Sequence, residues 1–396
     1  MRILIVLRYF YCPSQPIGGA ERQALRLATR LTEKGVSAVV ATGLWDWGQS
    51  RRQVIQGIPV HRHFTAWGMF DLKGLRKFGQ YFYLMSLLGY LILHRREYDV
   101  IHCHAATFEA AVAVLAGQWM KKPTLVRSMA SGRWGDLRMV QTDRSLLGTS
   151  WMLKKIREAN AVVALNQQVL REMIDLGVAK ERILTIPNGA EQPGHLKRDY
   201  AIHDAMIITF VGRLHPQKGV TTLLAACQLV AQDRPHLRWR LQLAGTGPLE
   251  NELKALAREL AVEQQVRFLG HVHDVNELLE LSDIFVLPSL SEGMSNALLE
   301  AMAHGLPCIV TDIAGNNEMI AHGINGWLVP PEDSTALAKA ISTLAIDQEL
   351  RQRLGRAAAN TVETKYSLDC VADQYLTLYA SLLGGRTKAA VLGAYQ

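Results

Sequence analysis

At 396 residues the chain is long enough for two domains with sizeable cores, and 49% hydrophobic with 20% charged residues describes an ordinary soluble globular protein. Its five cysteines are odd in number and widely scattered, which argues against a disulfide framework and suits a reducing cytosol. The net charge of +7 is uneven: residues 1–190 hold 26 Lys and Arg against 13 Asp and Glu, and residues 191–396 hold 17 against 23. With no zinc spacing, no RNP-type motif and no run of five basic residues, the basic half suits an anionic membrane surface or a phosphate-bearing lipid substrate better than nucleic acid.

The opening "MRILIVLRYF" carries five apolar residues between Arg2 and Arg8, too few for a signal peptide, and reads as a buried parallel strand. Next, "PIGGAERQALRLATRL" puts Gly18 and Gly19 directly before a helix, where backbone amides can approach a phosphate closely. The pattern is not G-x-G-x-x-G, and a plain loop before a helix accounts for it equally well. Strand "SAVVAT" follows. The run "YFYLMSLLGYLIL", Tyr81 to Leu93, is uncharged between Arg76 and Lys77 on one side and Arg95 and Arg96 on the other. It falls short of the ~20 residues of a spanning helix. A buried crossover helix is expected, the other reading being an amphipathic helix in a membrane interface. "DVIHCHAA" places His102 and His104 on one face of a strand and Cys103 on the other. Further metal ligands at suitable spacing are missing, so His104 is expected in a strand or in a polar contact at a cleft. "TLVRS", "AVVALN" and "ILTIP" complete the strands of this half.

The break falls after "IPNG", Ile186 to Gly189, where the chain loses its apolar period and carries Pro and Gly; a fresh strand starts at Met206. "FVGRLHPQKG" ends that strand, turns at Gly212 and presents Arg213 and Lys218 before a helix near Gly219. Two cations five residues apart suit a diphosphate, although an ordinary basic loop looks the same. "LAGTGPLE" starts like a dinucleotide fingerprint at Gly245 and Gly247 but has Glu250 where the third glycine belongs, so NAD chemistry is poorly supported. "VRFLG" and "DIFVLP" are the next strands. "SEGMSNALLEAMAHGLP", Ser291 to Pro307, then spaces Glu292 and Glu300 eight residues apart. On a single helix they would point roughly 80° apart and could not grip one atom together. With Ser295 or Asn296 capping a helix that Gly305 and Pro307 end, Glu292 instead falls in the turn after a strand and Glu300 inside the helix. The two can then hold opposite ends of an elongated ligand, with the amides of Gly293 to Asn296 at its anionic middle. A surface-loop glutamate plus a solvated helix glutamate is the plain alternative. Strands "PCIVTD" and "GWLVP" come last. This alternation means βαβ units, parallel sheets and two doubly wound domains, residues 1–190 and 191–365, facing a central cleft.

Taken together, Gly18-Gly19, "DVIHCH", "IPNG", "VGRLHPQKG", "LAGTGP" and "SEGMSNALLEAMAHGLPCIVTDIAGNNEMIAHGINGWLV" resemble the retaining glycosyltransferases of family 4, which have the α/β GT-B fold of two Rossmann-like domains. "YSLDCVADQYLTLYASLL", about residues 366–385, is similar to that family's closing helix, which packs back on the first domain. The resemblance implies that the second domain binds a nucleotide-diphosphate sugar and the first a glycan or lipid-linked acceptor, in polysaccharide or glycoconjugate biosynthesis. By similarity Arg213, Lys218 and the amide at Gly19, next to Gly18, hold the diphosphate. Glu300 bonds the ribose, Glu292 with Gly293, Met294, Ser295 and Asn296 holds the sugar, and His104 approaches that sugar from the acceptor domain. Arg213 and Lys218 take the part a metal plays elsewhere, so no metal and no cofactor is expected. Glu292 is expected to position rather than to act as a double-displacement nucleophile. Arg213→Ala or Lys218→Ala should accordingly lose far more turnover than a change at Ser289. In "LVRSMASGRWGDL", where many relatives carry a His-Gly pair, the pattern of Arg127, Ser131, Gly132 and Arg133 is similar to a subgroup that builds surface polysaccharide or lipid-linked glycan, and implies acceptor phosphate at Arg127. The implied location is the cytoplasm, at the inner face of a membrane. Two alternatives stay open. A sugar-nucleotide epimerase or a soluble glucan- or sucrose-type synthase would share the architecture, the epimerase changing donor without acceptor. An inactive scaffold subunit is the other, against which both glutamates and both cations speak.

Overall fold

The computed structural model describes residues 1–12, 18–46, 48–65, 76–130, 132, 135–142, 147–194, 196 and 199–384. Ser131 and Arg133, the side chains of Arg76 and Lys77, and residue 385 lie outside the described residues. The chain divides into two compact units, Met1–Gly189 together with the segment from Leu368, and Ala190–Ser367.

The first unit runs β1 (Arg2–Val6), α1 (Gly19–Glu33), β2 (Ser37–Leu44), β3 (Arg52–Ile55), β4 (Ile58–Phe64), α2 (Arg76–Leu93), β5 (Val100–Cys103), α3 (Phe108–Met120), β6 (Thr124–Arg127), α4 (Asp136–Thr142), α5 (Thr149–Arg157), β7 (Ala161–Ala164), α6 (Gln167–Asp175) and β8 (Ile183–Thr185). Its sheet is ordered β3-β4-β2-β1-β5-β6-β7-β8. Strand side chains alternate between faces. Leu4 and Val6 therefore enter a core with Leu87 of α2 and Ile156 of α5, while Ile3 and Ile5 enter another with Leu31 of α1 and Tyr375 of the C-terminal helix Leu368–Leu383. Helices thus cover both faces. The strand order reverses between β1 and β5, and at such a reversal the loops diverge and leave a crevice beyond the carboxyl ends. The C-terminal helix is held by its buried Val371, Tyr375 and Tyr379. Its exposed ion pairs to α1, Arg30–Asp369 at 3.2 Å and Lys34–Asp373 at 2.8 Å, add little in water.

Two expectations need correction in this unit. The sheet is not wholly parallel: β3 and β4 form an antiparallel hairpin with Ile55 opposite Ile58. Gln56 and Gly57 both take positive φ, 47° and 80°, the geometry that matches the twist of a two-residue hairpin. It escapes sequence reading because β3 lies on the edge, largely exposed, and shows no apolar alternation. The run Tyr81–Leu93 does form a crossover helix, but only one side is buried: Tyr83, Leu84, Leu87 and Leu91 pack inward while Phe82, Met85 and Leu93 face out.

The second unit runs β9 (Met206–Val211), α7 (Val220–Asp233), β10 (Trp239–Ala244), α8 (Glu250–Glu259), β11 (Val266–Gly270), α9 (Asn276–Glu280), β12 (Ile284–Leu287), α10 (Asn296–Ala303), β13 (Cys308–Thr311), β14 (Trp327–Val329), α11 (Ser334–Ile346) and α12 (Gln348–Thr361). Its six strands, ordered β11-β10-β9-β12-β13-β14, are all parallel. The central strands β12 and β13 are buried at every position because both faces are covered, whereas β10 and the edge strand β11 alternate buried with exposed residues. Ile208, Phe210, Phe285 and Val286 are fully buried in one continuous core. Here the order reverses between β9 and β12.

Candidate active site

In the second unit, the candidate residues gather beyond the carboxyl ends of β9 and β12, on either side of the reversal. β12 stops at Leu287 before Pro288, Glu292 follows in the loop, and α10 starts at Asn296. Ser295 is the helix cap, its Oγ accepting from the Leu298 amide at 3.3 Å, so its hydroxyl serves the backbone first. Glu292 and Glu300 are each only 7% exposed, one in the turn and one inside α10. Gly293 is buried and Met294 and Asn296 half-buried along the same turn, which leads into the positive end of the helix.

After β9 the chain turns at Gly212, Arg213 points to solvent, and a 3₁₀ turn at Pro216–Lys218 precedes α7. Gly219 then takes φ +61°, and a Cβ there would lie 2.1 Å from the Pro288 carbonyl oxygen. Only glycine lets the two loops touch this closely. The contact carries Lys218 to Glu292: the Lys218 ammonium donates to Glu292 Oε1 at 2.5 Å, and Ser289 Oγ donates to the same oxygen at 2.6 Å. Gln217 completes the clasp, donating from Nε2 to the Ser291 carbonyl and accepting the Leu290 amide, both at 2.8 Å. Among the described residues no ion pair reaches the Arg213 guanidinium. His215 accepts the Gln217 amide at Nδ1, and burial followed by the charges of Arg213 and Lys218 holds its pKa below the ordinary value.

Sequence reading gave Lys218 to the diphosphate and Glu292 to the sugar, with Glu292 and Glu300 at the two ends of the ligand; the folded chain joins Lys218 and Glu292 directly. Ser289 was expected to be a neutral comparison. It is fully buried and donates to Glu292, so it belongs to the site and cannot serve as one. Gln217 and Gly219 were not singled out for these contacts; their signal in the sequence is only the tight "HPQKG" turn.

In the first unit, His104 follows β5 and Arg127 ends β6. Both are buried, and Arg127 Nη1 lies 2.6 Å from His104 Nε2 while Nη2 donates to Asn188 Oδ1. Burial, then the charge of Arg127, pushes the pKa of His102 down to about 3, and the same two causes with His102 added hold His104 well below its usual value. Both imidazoles are therefore neutral near pH 7. With Nε2 accepting from Arg127, His104 carries its proton on Nδ1, which has no hydrogen-bond partner among the described residues. It can offer an N–H but cannot serve as a base. His102 meets the Tyr379 hydroxyl at 2.7 Å and stacks on Tyr375 at 5.2 Å, so the C-terminal helix braces this group. Gly18 and Gly19 are exposed at the start of α1, where the Gly18 amide donates to Glu21 Oε2 at 2.7 Å. With φ at −83° and no close neighbour for a Cβ, the fold itself does not require glycine at position 18.

Residues 17–191 match the family described as Glycosyltransferase Family 4, and residues 205–347 match Glycosyl transferases group 1. The chain is 30% identical over 369 residues to the lipopolysaccharide core biosynthesis glycosyltransferase LpsE of Rhizobium meliloti (strain 1021), covering 92% of this chain and 96% of that one. It is 26% identical over 315 residues, 76% and 79% of the two chains, to UDP-Gal:alpha-D-GlcNAc-diphosphoundecaprenol alpha-1,3-galactosyltransferase of Escherichia coli. Among solved structures, Anabaena Alr3699/HepE in complex with UDP and glucose superposes with a TM-score of 0.76 at 20% identity, over 96% of this chain and 100% of that one. The fold is GT-B.

Proposed function

Because the chain belongs to glycosyltransferase family 4 and is a glycosyltransferase of glycan biosynthesis, we propose that it moves a sugar, with retention, from a nucleotide-diphosphate sugar to a glycan or lipid-linked acceptor. The observation that carries this reading is the Lys218–Glu292 pair beside an exposed Arg213 at the reversal of the second sheet. The printed name of the Escherichia coli relative, with its UDP-galactose donor and diphosphoundecaprenol-linked acceptor, lends support. So does the UDP held by the Anabaena structure.

The chemistry follows from charge. As the bond to the diphosphate breaks, negative charge builds on the leaving oxygens, and donors already in place stabilise it at no cost of reorganisation. Lys218 carries three N–H donors, of which Glu292 takes one. The other two and the Arg213 fork are available to phosphate oxygens. These cations take the part a metal would play, so the reading assigns neither metal nor cofactor. Glu292, already accepting from Lys218 and Ser289, is held as an acceptor for the sugar's hydroxyls, and Glu300 is assigned to the ribose. The acceptor attacks on the leaving-group face, and a diphosphate oxygen takes its proton. Gly18 and Gly19, where a side chain would stand in the way of an approaching phosphate, complete the donor assignment together with Gly293 to Asn296. Arg127 is assigned to acceptor phosphate, and His104 to donating from Nδ1.

A thermal-shift panel of UDP, GDP, ADP and CMP tests this, since a ligand that binds only the folded state raises its stability. One diphosphate should raise the melting temperature, and Arg213→Ala should abolish the rise. No shift with any of them would favour the scaffold reading.

The same reading places the protein in the cytoplasm at the inner membrane face. Among the described residues no helix is long and apolar enough to cross a membrane. Support for a peripheral contact comes from α2, where Phe78, Phe82 and Met85, spaced i, i+4 and i+7, form one exposed stripe, with Phe78 63% and Met85 72% exposed. Arg95 and Arg96 follow it, both exposed. Phe78→Ser with Met85→Ser should weaken sedimentation with anionic lipid vesicles by roughly tenfold. Equal sedimentation of the variant would remove α2 from that role.

A further inference from the structure

A second group of side chains, outside the residues already assigned, clusters near the carboxyl ends of the first unit's strands. Arg8 lies just beyond β1, Trp45 just beyond β2, His63 in β4, Tyr83 in α2, and Glu109 in the first turn of α3 after β5. The Arg8 guanidinium carbon stands 5.5 Å from the ring centre of Tyr9, 5.7 Å from Trp45 and 5.8 Å from Tyr83. The rings are packed in turn, Tyr9 to Trp45 at 4.8 Å and Trp45 to Tyr83 at 4.9 Å. Trp45 Nε1 donates to the Arg8 carbonyl at 2.5 Å, which fixes the wall against the strand end. Opposite, one oxygen of Glu109 accepts from Thr107 Oγ1 at 2.6 Å, while the other is 3.8 Å from Arg8 Nε, too far for a hydrogen bond.

Glu109 is 2% exposed and Tyr83 fully buried. Yet Glu109 Oε1, Arg8 Nε, the Tyr83 hydroxyl and His63 Nε2 all lack a hydrogen-bond partner among the described residues. Buried polar groups are nearly always paired, so four unpaired in one aromatic-rich cluster mark a place where a ligand's own donors and acceptors belong. The charges select its class. Arg8 and Glu109 offset each other, so a phosphate or carboxylate drawn to Arg8 would meet the Glu109 carboxylate. A hydroxyl suits both, accepting from Arg8 and donating to Glu109.

We propose that this cluster is the subsite for a neutral sugar ring of the acceptor, one sugar hydroxyl bridging Arg8 and Glu109 with the ring's C–H face against Tyr9. The proposal rests on the glycosyltransferase reading and deepens it. β1, β5 and β6 are consecutive neighbours in the sheet, so the ends that carry Arg8 and Arg127 lie roughly 10 Å apart. A single acceptor bearing both a sugar and a phosphate engages both, the sugar at Arg8 and the anion at Arg127.

Saturation-transfer NMR on the full chain with the methyl glycosides of glucose, galactose and N-acetylglucosamine tests the subsite. At least one glycoside should receive saturation, and Glu109→Gln and Tyr9→Ala should each reduce it by about fivefold or more. Both variants should keep the cooperative melting and the nucleotide-induced shift of the parent, which a merely structural role would not spare. Excess inorganic phosphate should not displace the glycoside. No glycoside binding at all, binding undiminished in both variants, or displacement by phosphate would each overturn the assignment. The nucleotide shift is read separately on the same samples, so failure of the donor-site reading is told apart from failure of the subsite.

Discussion

Lys218→Ala is expected to lower sugar-transfer turnover by about 10²–10³-fold, the usual cost of removing one preorganised donor to developing charge. The loss has two sources. The leaving diphosphate forfeits an ammonium, and Glu292 forfeits the cation 2.5 Å away, leaving Ser289 Oγ at 2.6 Å as its side-chain donor. A buried carboxylate stripped of its cation no longer sits where a sugar hydroxyl needs it. Arg213→Ala should fall comparably while leaving Glu292 undisturbed, since no ion pair reaches Arg213 among the described residues. Lys254→Ala is the suitable comparison, because that ammonium pairs with Glu250 at 2.7 Å on the outside of α8. The measurement is nucleoside-diphosphate release from whichever donor matches the thermal-shift result, with and without EDTA. Turnover of Lys218→Ala within about threefold of the parent would remove Lys218 from the mechanism. Abolition by EDTA would replace the two-cation account with a metal.

Gly245→Ala is expected to destabilise the second unit by about 3 kcal/mol or more, lowering its melting temperature by roughly 6–12 °C. Gly245 sits at φ +142°, where side chains are strained, and a Cβ would lie 1.9 Å from the Gly212 carbonyl oxygen. Backbone cannot yield as a flexible side chain can. The contact also positions the site. The Gly212 amide donates to the Ala244 carbonyl at 2.9 Å and the Leu214 amide to the Thr246 carbonyl at 3.0 Å, so this loop holds the turn that presents Arg213. A weaker nucleotide shift should therefore accompany the lower melting temperature. Gly270→Ala makes the contrast: its φ is +66° but nothing stands within 4 Å of the added carbon, so only the left-handed strain of about 1 kcal/mol applies. Equal melting of Gly245→Ala and the parent would mean that the loop shifts freely and does not brace Arg213.

Strands buried on both faces were legible because every residue must be apolar, as in β1 with Ile3, Leu4, Ile5 and Val6 all buried. The hairpin β3–β4 was not, since an edge strand facing water has no such pattern. The separation of Glu292 from Glu300 into turn and helix was legible from cap chemistry, and Ser295 does cap α10. The outward stripe on α2 was harder to read. The run Tyr81–Leu93 is apolar on nearly all sides, and composition alone does not say which side meets the sheet.

What the sequence by itself determined is local: two alternating βα halves, the positions of turns and caps, and which ionisable residues stand at strand ends. These follow from hydrophobic periodicity and backbone preference over a few residues. Only the tertiary structure decided which of those residues meet. Lys218 and Glu292 are 74 positions apart, and Arg127 and Asn188 are 61 apart. Each pair forms because parallel strands deliver distant loops to one edge of a sheet. Whether a charge there is paired or left open depends on how closely those loops approach, which at Gly219 turns on a glycine whose missing side chain leaves room for the Pro288 carbonyl.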